Sequence, residues 1–87
     1  MKINTLHICN LDEVKNLDSY WSMVAVQDQV VLYARTINIK RYEELELQQT
    51  HIKKHYQSSG TNNAFTNLTM QKWLQLVNIA NRTMTWK

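Results

Sequence analysis

The sequence predicts a small α/β domain, with helices covering both faces of a mostly parallel sheet of four to five strands. Three observations carry that expectation. The first is the run at 28–34, Asp-Gln-Val-Val-Leu-Tyr-Ala, where a polar opening leads into five consecutive apolar residues. It is too short for a helical period and does not alternate, so it suits a strand covered on both faces, as in a parallel sheet. The second is that strand-like segments on either side are separated by stretches with apolar residues at helical spacing, which implies right-handed crossovers and a three-layer sandwich. The third is size: 87 residues make one domain over 1–87, with no room for a second core.

Taken in order, residues 2–8 carry Ile3, Leu6 and Ile8 with β-branched Thr5 and read as a first strand. Asn10 or Asp12 then supplies a helix cap, and Val14, Leu17, Trp21, Val24 and Ala25 follow at helical spacing. The central strand occupies 28–34. Good helix formers fill the next stretch, predicting a second helix over 38–49 with Tyr42, Leu45 and Gln49 on one face. Residues 50–56 read as an edge-like strand, where Lys53 and Lys54 suit exposure; their apolar spacing also allows the second helix to run on. The clearest loop is 58–63, and 64–68 is a candidate fourth strand. Asn67 or Thr69 caps a last helix with Met70, Trp73, Leu74 and Val77 at i, i+3, i+4 and i+7, ending near Asn81 and leaving 82–87 as a tail.

Composition narrows the function. With 44% hydrophobic and 20% charged residues the chain is globular rather than disordered. A chain of this length buries only about 60–68% of its unfolded surface, so an isolated monomer is expected to be marginal. No apolar run approaches the roughly 18 residues of a membrane span, and residues 1–6 lack the apolar core of a secretory signal. A cytoplasmic location without membrane association is expected. Proline is absent and Gly60 is the only glycine, which excludes glycine-rich phosphate loops and dinucleotide fingerprints. The single Cys9 excludes an internal disulfide and a multi-cysteine zinc site, and no cofactor is expected.

Four groups of residues could carry chemistry or recognition. Cys9 ends the first strand, where open α/β sheets place their ligands, and His7 lies on the same face. A reactive thiol there needs a lowered pKa, whereas a lone cysteine is more often a small buried apolar group. His51 and His55 are four apart, but the segment reads as a strand and no third ligand is evident. Arg35, Lys40, Arg41, Lys53 and Lys54 would make a basic patch if the fold gathered them, although a net charge of +3 is also ordinary surface bias. Trp86 is a large aromatic that must dock, either on the chain's own core or on a partner. The expectation is a partner interface formed by Trp86, Met84, Trp21 and Arg35.

Three places in the chain resemble the TusB/DsrH family, small subunits of sulfur-relay complexes with the DsrE-like fold. Asn4-Thr5-Leu6-His7 is similar to the family's opening strand with its Leu-His signature. Residues 28–34 are similar to its acidic residue followed by an aliphatic strand. The stretch 68–77, running on to Met84-Thr85-Trp86, is similar to its helix with an aromatic residue and its following tryptophan. There are departures. Arg35-Thr36 stands where the family usually has an acidic-glycine turn, and only Ser58-Ser59-Gly60 stands near its usual Ala-Arg-Gly segment. Residues 18–23 contain no cysteine where some members carry one, so no family role passes to Cys9.

The resemblance implies a hetero-oligomer with related DsrE-like subunits, relaying sulfur toward 2-thiolation of the tRNA wobble uridine or into another sulfur pathway. The main sulfur-carrying cysteine would lie on a partner, and this chain would be a non-catalytic, structural subunit linked only indirectly to tRNA. Two alternatives stand beside it: a stand-alone thiol enzyme using Cys9, and a small basic RNA-binding module.

Overall fold

A computed structural model describes residues 3–14, 16–35, 37, 39–58 and 68–86. The elements in order are β1 (Ile3–Asn10), α1 (Asp18–Trp21), β2 (Gln29–Ala34), α2 (Ile39–Leu47), β3 (Lys53–Ser58), α3 (Met70–Ile79) and β4 (Ala80–Trp86). The four strands form one sheet in the order β3-β2-β1-β4, and every neighbouring pair is parallel. A radius of gyration of 12.2 Å matches the about 12 Å of a compact domain of this length.

The apolar run lies inside the sheet as β2, flanked by β1 and β3, with Val30, Val31 and Leu32 fully buried. Successive side chains of a strand point to opposite faces, so burial of three in succession requires cover on both. Two core clusters supply it. One gathers Cys9, Val30, Leu32, Tyr56 and Trp86 under Val14, Leu17 and Trp21 of the α1 region and Leu45 of α2. The other joins Leu6 and Val31 to Leu68 and to Leu76 of α3. β3 lies at one edge of the sheet, as the lysines suggested, although it runs Lys53–Ser58 rather than 50–56.

Three expectations are corrected. The stretch after β1 is not one amphipathic helix. Among the described residues its helix is limited to the four residues of α1, within a series of turns closed by Val14 N–H to Asn10 O and Trp21 N–H to Leu17 O. Short polar side chains explain this by bonding the local backbone in competition with a helix. Asn10 Oδ1 accepts from Asp12 N–H, Ser19 Oγ donates to Asn16 O, and Ser22 Oγ donates to Ser19 O. The apolar residues Val14, Leu17 and Trp21 nevertheless reach the core.

Residues 82–86, expected as a tail, belong to β4, which pairs along β1 from Ile3↔Ala80 to Cys9↔Trp86. Ala80 is both the C-cap of α3 and the first residue of β4, with φ −76° and ψ 140°. The helix therefore passes into the strand without a loop, and no turn residue marks the change. The candidate strand at 64–68 lies outside the described residues except for Leu68, which is buried but in no strand.

The third correction concerns α3. Thr69 caps it, its side chain accepting from Lys72 N–H at 3.1 Å. The predicted stripe, however, is not the buried face. Leu76 is buried at 6% exposure and Trp73 is half-buried against Tyr33, whereas Met70 and Leu74 are 62% and 63% exposed.

Candidate functional site

The most organised polar feature is a buried network joining three strands. β1 carries His7 inward, β4 brings Trp86 across from it, and Asp28 sits at the entrance to β2. Trp86 Nε1 donates to His7 Nδ1 at 3.0 Å, and His7 Nε2 lies 2.9 Å from Asp28 Oδ2. An indole N–H can only donate, so Nδ1 is the acceptor and the ring proton sits on Nε2, pointing at the carboxylate. Asp28 Oδ2 also accepts from Ala25 N–H at 2.9 Å, and Oδ1 accepts from Thr5 N–H at 3.1 Å. Burial alone would raise the Asp28 carboxyl; the bonds from Ala25, His7 and Thr5 outweigh it and hold the group below its ordinary value.

Aromatic rings close the site. Tyr20 stacks on Trp86 at 5.1 Å between centroids and 11° between planes, and Trp21 meets it edge-on at 5.2 Å. Trp21 Nε1 in turn donates to Gln48 Oε1 at 2.9 Å, tying α1 to the end of α2. Beyond it Gln49 holds a left-handed φ of 49°, and Lys54 Nζ donates to its carbonyl at 3.1 Å.

A carboxylate–histidine pair is two thirds of a nucleophilic triad, but here the third place is an indole donor. Both ring nitrogens are engaged, leaving no lone pair for a base. Cys9 does not supply the missing nucleophile. It is fully buried, and burial pushes its thiol up to about 12, with Arg41 lowering it only in part. The thiolate needed for sulfur chemistry is thus strongly disfavoured.

The other predicted residues are dispersed. Trp86 and Trp21 are 1% and 4% exposed within this chain's own core, so the expectation that they anchor an exposed interface is corrected. Met84 is partly buried against the same cluster, and Arg35 is exposed, its backbone N–H donating to Asp12 Oδ2. His51 lies in an exposed turn, while His55 points inward to Gln29 Oε1 at 2.7 Å. Burial, followed by Lys53 and Lys72, lowers the His55 pKa. Among the described residues no three His, Cys, Asp or Glu side chains form a group that could hold a metal.

The basic residues fall at opposite ends of the sheet. Arg35, Lys40 and Arg41 follow the end of β2, which pairs with Ser58, whereas Lys53 opens β3 opposite Gln29. Five residues of strand separate the two groups by roughly 16 Å. No helix among the described residues is long and apolar enough to cross a membrane.

The sequence put His7 on the first strand but left Trp86 in a tail, and joined neither to Asp28. A signal was present, since a histidine on the inward face of an apolar strand needs polar partners. No protein-family model, curated protein or solved structure matches the chain.

Proposed function

We propose that the chain is a non-catalytic, DsrE-like subunit of a sulfur-relay assembly, holding related subunits in a complex that supports thiolation of the tRNA wobble uridine. One observation carries the proposal. The three stretches that resemble the TusB/DsrH family, around His7, Asp28 and Trp86, are far apart in sequence and meet in one hydrogen-bonded network. A chance likeness of three short segments gives no reason for such convergence. The parallel α/β sheet with helical segments on both faces is compatible with a three-layer DsrE-like sandwich.

A structural role is supported by the state of Cys9, buried and held protonated. It is also supported by Met70 and Leu74, which with the part-exposed Val77 lay an apolar stripe along the outside of α3, a surface suited to helix or sheet packing in an assembly. The buried thiol weighs against a stand-alone enzyme using Cys9. The separation of the basic groups weighs against an RNA-binding module built on one patch.

The test is purification of the chain with its natural partners, followed by mass spectrometry of the subunits and their persulfides. The expected result is co-purification of related subunits with persulfide on a partner and none on Cys9. A persulfide on Cys9, or a chain that purifies alone from cells performing the modification, would overturn the proposal.

A further inference from the structure

The His7–Trp86 bond exists in only one protonation state of the ring, and this has a consequence independent of any partner. We propose that His7 is a proton-operated latch on β4: the ring holds the Trp86 indole while Nδ1 is bare, and a second proton ejects it.

The geometry sets the direction of the response. Nδ1 accepts from Trp86 Nε1 at 3.0 Å, and the ring is 1% exposed, so water cannot take over as acceptor. Adding a proton to Nδ1 places two donors face to face in a buried site, which costs more than the loss of an ordinary hydrogen bond. Nε2 behaves differently, because the imidazolium keeps its contact with Asp28 Oδ2 and gains charge complementarity there. The ring therefore stays on Asp28 and the indole leaves. Trp86 is the deepest side chain of β4, an edge strand, so its departure loosens the outer end of the β1–β4 pairing at Cys9↔Trp86.

The surrounding titratable and charged groups come from every element packed on this site. Asp28 faces the ring from the β2 entrance, and Cys9 shares its strand and face. Tyr20 of the α1 region stacks on Trp86, and Lys54 of β3 lies 5.9 Å from the Trp21 ring. From β4, Arg82 Nε bonds Thr5 Oγ1 at 2.8 Å, and from α2 Arg41 acts on Cys9. Asp28 is the one of these that bonds the ring.

The experiment follows the Trp86 indole N–H and the His7 ring nitrogens by NMR in the full nitrogen-15-labelled chain as pH is lowered. Protection of the Trp86 N–H from solvent exchange should drop by at least about tenfold, the worth of one buried hydrogen bond. The drop should fall in the same pH step in which His7 gains its second proton. The Trp21 N–H, bonded to Gln48, should not share that step. In Trp86→Phe, which keeps an aromatic ring but no donor, protection of the β4 amides should no longer follow His7, and in His7→Gln the step should vanish.

Titration of His7 with Trp86 still protected would overturn the latch, as would the same step in His7→Gln. If the wild-type ring stays singly protonated until the fold is lost, the latch is excluded unless His7→Gln or Trp86→Phe survives to lower pH.

Discussion

The two faces of the sheet are built to different standards. On the face under α1 and α2, Trp86 is locked by two aromatic rings and by a hydrogen bond to a histidine that is itself held by a buried carboxylate. On the face under α3, the cover among the described residues comes from Leu68, Leu76 and a half-buried Trp73, and the helix turns Met70 and Leu74 outward. The first face is closed within the chain at Trp86, although Ile39 and Leu47 of α2 and Met23 and Val26 near α1 are exposed. The second likewise leaves apolar side chains of its covering helix exposed, and its buried contacts are mainly aliphatic. The difference teaches which face is fixed by directional bonds and which rests on apolar packing.

The comparison breaks most severely at Trp86. Trp86→Ala should cost about 4 kcal/mol, since large aromatic truncations in cores cost about 3–5 and His7 Nδ1 is also left unpaired. Urea unfolding measures it, and a loss under about 1 kcal/mol would contradict the closed face. Next comes Asp28→Asn, expected to cost about 2–3 kcal/mol because an amide cannot accept from three donors. Its pH dependence has a definite sign. The folded carboxyl is held low, so its contribution is complete above the unfolded value near 3.9 and is lost as pH falls through the lower folded value. The substitution should flatten that acid limb in a stability–pH series; an unchanged slope would remove Asp28 from the account.

Leu76→Ala probes the α3 face and should cost about 2 kcal/mol, the low end for a buried leucine, because Leu76 lies on a helix whose other apolar side chains are largely exposed. A loss as large as that of Trp86→Ala would erase the contrast. The smallest effect belongs to Leu74→Gln, within about 0.5 kcal/mol for the isolated chain because the side chain is mostly exposed. In the proposed assembly the same variant should weaken co-purification of the partner subunits, and unchanged recovery would take α3 out of the proposed interface.

Much of this was legible in the sequence. The run at 28–34 announced an inner strand because only two-sided cover tolerates such continuity. Lys53 and Lys54 announced an edge. The switch at Ala80 was illegible because Asn81-Arg82-Thr83 contains neither glycine nor proline, and only pairing with a distant β1 distinguishes it from a fraying helix. The orientation of α3 was hidden for another reason. Periodicity reports that Met70, Trp73, Leu74 and Val77 share a side, but not whether that side meets the chain's own sheet. The polar network was hidden because hydrogen bonds between residues 79 apart leave no local pattern.

The placement of β4 also bears on how the chain acquires its shape. β1, β2 and β3 follow one another in sequence and neighbour one another in the sheet, so each can be added by a crossover of moderate span. β4 must return to β1, and contacts such as Arg82 to Thr5 close a span of 77 residues. Contacts of such long range are costly in loop entropy and slow to form, which makes docking of β4 the natural late step of folding. Until then β1 presents an open edge and His7 and Asp28 face an empty slot. A chaperone or a strand from another copy would find its opening there, and domain swapping of β4 is the misassembly this topology invites.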